Sequence, residues 1–86
     1  DLVLFNYKLN RFIVCELKLN DLNAKDIGQT LNYMKIIDKT MKQDNHNKTI
    51  GIIVSRKNNK FIIEYVSDLD IFLTTYKLKD KITINS

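Results

Sequence analysis

The chain has 86 residues, of which 44% are hydrophobic, so it can form one domain with a single modest core. Its 14 basic and 10 acidic residues give a net charge of +4, which is compatible with a polyanionic partner but is more often typical of a solvated lysine-rich surface. The single cysteine, Cys15, excludes an internal disulfide and lies in an apolar run. We therefore expect a core thiol in a reducing, cytoplasmic setting, and no apolar stretch is long enough to predict a membrane span.

Two strand-like runs open the chain. Residues 2–7 and 11–19 are rich in Val, Ile, Phe and Leu and are separated by a polar break, which predicts an antiparallel hairpin. We place its turn at Leu9 and Asn10, so that the numbers of opposed residues add to 19. The chain begins with Asp1 rather than Met, and the first strand-like run starts directly after it. We therefore expect residues 1–86 to be one N-terminally truncated domain of a longer protein.

A change of hydrophobic period predicts a long helix over Leu22 to Gln43. Asn23 and Asp26 provide an N-cap and a carboxylate at the third helical position. Apolar residues three or four positions apart form the expected core stripe, namely Ala24, Ile27, Leu31, Met34, Ile37 and Met41.

The second half of the sequence predicts three more strands. Thr49 to Ser55 is a continuous apolar run, typical of a central strand that is covered on both faces. Lys60 to Val66 and Ile71 to Leu78 follow, the last as an edge strand. The predicted fold class is therefore α/β, a mixed sheet with the order ββαβββ, one principal helix on one face, and missing segments over the other.

A carboxylate and a lysine are predicted to share one face of the second strand. Glu16 and Lys18 are two positions apart, and strand side chains alternate between faces. In the assumed register Asp1 lies opposite Lys18 and diagonal to Glu16, so two carboxylates can converge on one ion. Carboxylates with waters and a phosphate oxygen suit Mg²⁺, which can activate a water for phosphodiester hydrolysis beside the lysine.

The pair Glu-x-Lys is weak evidence alone, since a surface pair at a strand end has the same spacing. Further polar residues in suitable places strengthen it. Gln29 and Tyr33 lie on one helical face, beside the core stripe. Gly28 precedes them inside the predicted helix. Two explanations of this glycine remain open: a close backbone approach to a strand or a phosphate, and simple tolerance of glycine in a helix.

Other conspicuous residues receive no catalytic role. His46 lacks any partner for a metal site, so we expect it to be solvated. Phe61 and Tyr65 alternate within an apolar run, which favours packing over base stacking. Lys57 and Lys60 flank a turn, where phosphate contact and plain solvation remain equally open.

These residues resemble the PD-(D/E)xK nuclease superfamily, and specifically the nuclease domain at the C-terminus of bacterial YhcG-like proteins. The resemblance covers nearly the whole chain. It rests on the segments Asp1-Leu2-Val3-Leu4-Phe5, Phe12-Ile13-Val14-Cys15-Glu16-Leu17-Lys18 and Gly28-Gln29 with Tyr33, and on the later segments Ile50-Gly51-Ile52-Ile53-Val54 and Ile63-Glu64-Tyr65.

The resemblance implies a restriction-endonuclease-like fold and a Mg²⁺-dependent or Mn²⁺-dependent deoxyribonuclease of genome defence or DNA processing, acting internally or from an end. Asp1, Glu16 and the Leu17 carbonyl would hold the metal, and Lys18 would serve the attacking water. Gln29 would orient the metal site or the phosphate, with Tyr33 beside it. The implied partners are DNA, the missing N-terminal region and, as an open alternative, a second copy in a homodimer.

Two rival interpretations remain open. One is a catalytically silent nucleic-acid-binding domain with the same fold, which would bind DNA without metal and more weakly at high salt. The other is an assembly module whose exposed sheet edge pairs with another protomer.

Overall fold

A computed structural model describes residues 2–57, 60–66 and 68–76. Its elements are β1 (Leu2–Asn6), β2 (Arg11–Leu17), α1 (Ala24–Thr40), β3 (Ile50–Ser55), α2 (Lys60–Tyr65) and β4 (Ile71–Thr75). The predicted α/β class with a mixed sheet is confirmed, whereas the predicted order ββαβββ is wrong, because the order is ββαβαβ. None of the helices in the described ranges has the length and apolar character that a membrane crossing requires.

The four strands form one sheet in the order β1-β2-β3-β4. The strand β1 is antiparallel to β2, while the β2-β3 and β3-β4 pairs are parallel. The apolar run that predicted a central strand does form β3, which has a neighbour on each side. The predicted last strand lies at the sheet edge as β4, and residues 77 and 78 of that prediction lie outside the described residues.

The hairpin between β1 and β2 is confirmed, but its predicted register is wrong. Leu2 is opposite Cys15 and Asn6 is opposite Arg11, so opposed numbers add to 17 rather than 19. The turn is a longer one over residues 7–10, because the Asn6 side chain accepts hydrogen bonds from the backbone of Lys8 and Leu9. Asn10 then takes a left-handed conformation with φ of 54°.

The segment predicted as a strand at Lys60 to Val66 is the helix α2. Its buried residues, Ile62 and Val66, are four apart, which is the helical period. Short apolar runs do not distinguish a strand from a helix by period alone. Topology decides here, since a parallel β3-β4 pair requires a crossover connection, which is usually helical.

The start of α1 is fixed by the predicted cap. The Asn23 side chain accepts a hydrogen bond from the Asp26 backbone N–H, and the Asp26 carboxylate accepts one from the Asn23 N–H. Leu22 and Ile27 flank this capping box and are both buried in the core cluster, in the positions of a hydrophobic staple. Ala24 and Met41, which were predicted for the core stripe, are exposed near the two ends of the helix.

The helix α1 packs closely on β3 at Gly51. A Cβ atom at this position would lie 2.9 Å from both the Met34 Sδ and the Thr30 Cγ2 atoms. By contrast, a Cβ atom at Gly28 would meet nothing within 4 Å, so the predicted close approach of a strand at Gly28 is wrong. The glycine that the packing requires is therefore Gly51.

The two faces of the sheet differ in what covers them. One face carries Val14, Ile53 and Ile71, which form the core cluster with buried residues of both helices. By strand alternation, the opposite face carries a largely apolar set outside the core cluster, of which Ile13 and Ile50 are buried, namely Leu2, Leu4, Ile13, Cys15, Leu17, Ile50, Ile52, Val54, Phe72 and Thr74. Cys15 is thus half-buried on this second face rather than part of the core cluster.

The loop after α1 is fastened to the hairpin turn. The Asn47 backbone and side chain donate hydrogen bonds to the carbonyls of Asn10 and Leu9, at 2.8 and 2.9 Å. The His46 ring packs against Phe5 and Phe12, with centroid distances of 4.8 and 5.7 Å. The prediction of a solvated His46 is therefore wrong, because the hairpin supplies an aromatic surface for it.

Candidate active site

The end of β2 brings the predicted Glu-x-Lys pair onto the helix-covered side of the sheet. Glu16 is opposite Ile53, whose side chain is fully buried in the core cluster beneath the helices. Lys18 follows two residues later and its backbone N–H donates to the Val54 carbonyl at 2.8 Å, which extends the pairing with β3. Both side chains therefore lie where β2 ends beside the start of α1.

One carboxylate oxygen of Glu16 is buried without a partner. Glu16 is half-buried, and its Oε1 atom has no hydrogen-bond partner among the described residues. An unpaired buried carboxylate oxygen costs free energy, since it loses water and gains nothing in return. A bound cation would satisfy this oxygen, which makes Glu16 a suitable metal ligand.

The Leu17 carbonyl adds a second oxygen to this place. Backbone groups of successive strand residues point to opposite edges, and the Lys18 N–H points toward β3. The Leu17 carbonyl therefore points toward the β1 side of β2. The Leu17 side chain, which is 61% exposed, lies on the other face of the sheet and takes no part in the site.

Lys18 is held by the buried carboxylate of Asp26, which was not among the predicted site residues. Its Nζ lies 2.9 Å from the Asp26 Oδ1 atom, and Asp26 is only 6% exposed. The hydrogen bond and charge of Asp26 raise the pKa of Lys18 above its ordinary value, with a smaller contribution from Glu16. Lys18 is thus a protonated hydrogen-bond donor at neutral pH.

Asp26 serves two structural purposes at once. Its Oδ2 atom closes the capping box through the Asn23 N–H at 2.9 Å, while its Oδ1 atom faces Lys18. The capping pattern predicted only the first of these contacts. A buried acid three residues after the cap, next to a lysine that ends a strand, is the signal that would have predicted the second.

Gln29 and Tyr33 lie on the flank of α1 that begins with Asp26. Gln29 and Tyr33 follow Asp26 by three and by seven residues, so all three side chains lie along one stripe of the helix. Gln29 is exposed and Tyr33 is 43% exposed, and neither side chain hydrogen-bonds to another described residue. The helix therefore places them on the flank that holds Asp26, the partner of Lys18, without a hydrogen bond to Lys18.

The remaining predicted residue, Asp1, lies outside the described residues. Within the described ranges there is no group of three or more His, Cys, Asp and Glu side chains that could hold a metal ion. The donors present are one carboxylate with an unpaired oxygen and one neighbouring carbonyl. Such a sparse oxygen set fits Mg²⁺, which usually keeps several waters and takes one or two protein carboxylates.

Comparison with known proteins identifies the family of the chain. A family model described as the YhcG PDDEXK nuclease domain matches residues 1–85. Neither the curated proteins nor the solved structures include a match to the chain. The matched range includes β1, β2 and α1, and so contains every residue of the site described above.

Proposed function

Because this chain belongs to the family of YhcG PDDEXK nuclease domains, we propose that it hydrolyses phosphodiester bonds of DNA with the help of Mg²⁺ or Mn²⁺. The observation that supports this activity best is the buried, unpaired Oε1 atom of Glu16 beside the lysine at the end of β2. A cation there would satisfy the carboxylate and lie within reach of a phosphate.

We assign the metal ligands as Glu16, the Leu17 carbonyl and Asp1. Asp1 is proposed from the family resemblance, because it lies outside the described residues. The observed register of β1 and β2 differs by two residues from the predicted one, and a shift of two preserves which face a side chain occupies. When bound, the cation supplies charge stabilisation and lowers the pKa of a coordinated water.

Lys18 acts as a donor in this scheme. Its ammonium group would hydrogen-bond the attacking water or a non-bridging phosphate oxygen, and so stabilise negative charge that develops during hydrolysis. Asp26 is a positioning residue, because its short ion pair fixes the ammonium at the end of β2. The capping box in turn fixes Asp26, which links the start of α1 to the orientation of Lys18.

Gln29 and Tyr33 would complete the site from the helix. Their side chains are exposed on the flank of α1 next to Asp26, and both offer hydrogen bonds to a phosphate. We propose that Gln29 orients the phosphate or a metal-bound water, with Tyr33 beside the scissile bond.

A DNA substrate and the free thiol of Cys15 also favour the cytoplasm as the location.

The test is cleavage of supercoiled plasmid and of single-stranded DNA with Mg²⁺, with Mn²⁺ and with EDTA. The variants are Glu16→Gln and Lys18→Gln, with Asp44→Asn as a matched control in an exposed loop that belongs to neither the site nor the core. We expect metal-dependent cleavage by the parent chain and by the control. Both site variants should lose it.

A metal-independent cut, or full activity in Glu16→Gln, would contradict the proposed mechanism. Thermal unfolding provides a second measurement that needs no turnover. A ligand present at 100 times its Kd stabilises a folded protein by about 2.7 kcal/mol, so Mg²⁺ should raise the Tm of the parent chain and leave Glu16→Gln unchanged.

A second candidate function is a nucleic-acid-binding domain without catalysis. The net charge of +4 favours it, because a basic surface attracts nucleic-acid phosphates without a metal. Binding of DNA in EDTA, with no cleavage under any metal condition, would identify this function. The homodimer remains a prediction, which sedimentation would test.

A further inference from the structure

Two aromatic side chains project from α2 into solvent. Phe61 is 83% exposed, the highest value among the large apolar side chains of the described residues, and Tyr65 is 63% exposed. Their neighbours Ile62 and Val66 are buried in the core cluster, so the exposed rings are the outer side of a well-anchored element. The prediction that Phe61 and Tyr65 pack in a sheet is therefore wrong.

Two shallow depressions meet at Phe61. One has a volume of about 290 Å³ and is lined by Ala24, Phe61, Ile62 and Tyr65. The other has a volume of about 260 Å³ and is lined by Lys60, Phe61 and Glu64. Both volumes fall just below the range of about 300 to 1,000 Å³ that is usual for sites of drug-sized ligands. We call these lining residues the α2 aromatic patch.

Exposed cations lie beside the α2 aromatic patch. Lys60 lines one depression, Arg56 and Lys57 are exposed where β3 leads into α2, and Lys25 is exposed next to Ala24 in the first turn of α1. Among the described residues, Glu64 is the acidic residue that lines a depression, and Asp21 lies 3.8 Å from Lys57. Exposed rings with cations beside them are the pattern that binds a nucleic-acid strand, because phosphates contact the cations and bases stack on the rings.

The α2 aromatic patch and the proposed active site both involve the first turn of α1. Ala24, which lines the apolar depression, is two residues from Asp26, and Asp26 contacts Lys18. Lys57 also lies 3.8 Å from Asp21, in the segment that joins β2 to α1. The shared first turn of α1 is our reason for assigning the rings and the phosphodiester at Glu16 and Lys18 to one strand of nucleic acid.

We infer that the α2 aromatic patch binds unpaired nucleotides, whose bases stack on Phe61 and Tyr65 beside the cleaved phosphodiester. In a duplex both faces of an internal base are covered by its neighbours, so stacking on a protein ring requires a single strand or an opened end. The inference rests on the proposed function, since it names the substrate class of that same site. It assigns single-stranded nucleic acid as the preferred substrate.

The test is binding of a fluorescein-labelled oligothymidylate and of a blunt DNA duplex of the same length, by fluorescence anisotropy in EDTA. Phe61→Leu removes the ring, and Phe61→Tyr restores one. Phe72→Leu is the matched control, because Phe72 is 57% exposed on the opposite face of the sheet. We expect Phe61→Leu to weaken oligothymidylate binding by about 5-fold to 150-fold, which corresponds to about 1 to 3 kcal/mol per stacked base.

The expected pattern also includes unchanged oligothymidylate affinity in Phe61→Tyr and Phe72→Leu, and unchanged duplex affinity in all variants. Equal affinity of the parent chain and Phe61→Leu for the oligothymidylate would overturn the inference. So would an equal loss for the duplex. A change in sedimentation of Phe61→Leu, with oligonucleotide binding intact, would instead identify the rings as a protein contact and overturn it too.

The outcome separates this inference from the proposed function. Metal-dependent cleavage together with normal oligothymidylate binding by Phe61→Leu would retain the nuclease and reject the base-stacking patch. Weakened binding by Phe61→Leu in a chain that cuts nothing would support the patch and reject the nuclease.

Discussion

Replacing Gly51 with alanine tests how closely α1 packs on β3. The added Cβ would lie 2.9 Å from the Met34 Sδ and Thr30 Cγ2 atoms and 3.4 Å from the Ile71 Cγ1 atom. Met34 has a flexible side chain and can move, but Thr30 is fully buried and its hydroxyl donates to the Asp26 carbonyl at 3.1 Å. We therefore expect overpacking to cost about 1 to 3 kcal/mol.

Gly28→Ala is the matched control, since its Cβ would meet nothing within 4 Å. Neither glycine has a positive φ, so alanine is allowed at both positions and lowers the entropy of the unfolded chain at both. Gly28→Ala should also gain helix propensity and be about 1 kcal/mol more stable. The difference between the two variants therefore reports mainly the clash at Gly51.

Urea unfolding at equilibrium measures both variants, with m-values compared to confirm that the same surface is exposed. For a domain of this size each 1 kcal/mol corresponds to about 4 to 8 °C in Tm. If Gly51→Ala proves as stable as Gly28→Ala, the close helix-sheet contact is refuted. A lower cleavage activity in folded Gly51→Ala would further indicate that α1 sets the position of Asp26.

Three further predictions concern the site and its support. Asp26→Asn should bring the pKa of Lys18 back toward its ordinary value, which NMR titration of the lysine side chain measures. In the parent chain the ion pair stabilises the fold at neutral pH, and this stabilisation is lost only as the pH rises through the raised pKa of Lys18. The same Lys18 pKa in Asp26→Asn and in the parent chain would contradict the prediction. Asp38→Ala should cost about 1 to 3 kcal/mol in urea unfolding, because the buried Thr49 loses both hydrogen bonds, at 2.6 and 3.1 Å; an unchanged midpoint would refute this. His46→Ala should lower the Tm by removing two ring contacts on the hairpin, and an unchanged Tm would show that the loop is held by its asparagine contacts alone.

The helix and its cap were predictable from local chemistry. Asn23 and Asp26 form a capping box because both partners are three residues apart on the same turn, and no distant residue is needed. The central position of β3 was predictable from its unbroken apolar run. The shared face of Glu16 and Lys18 followed from strand alternation, which depends only on spacing.

The hairpin register could not be predicted in the same way. The residues Leu9 and Asn10 do not form a strong two-residue turn, and Asn6 instead organises a longer turn through its side chain. The error was two residues, so every side chain kept its predicted face. The general placement of the site was therefore insensitive to the error, although the pairing partners changed.

The sequence by itself determined the α/β class, the capped helix and the strand that carries Glu16 and leads to Lys18, because these depend on period and on contacts within one turn. Tertiary structure alone decided that residues 60–65 are helical, since the parallel pairing of β4 demands a crossover that a short apolar run does not encode. It also decided that Asp26 holds Lys18, because that ion pair joins residues that approach only when α1 packs on the sheet. The exposure of Phe61 has the same origin, since burial of Ile62 leaves the ring on the outer side of the helix.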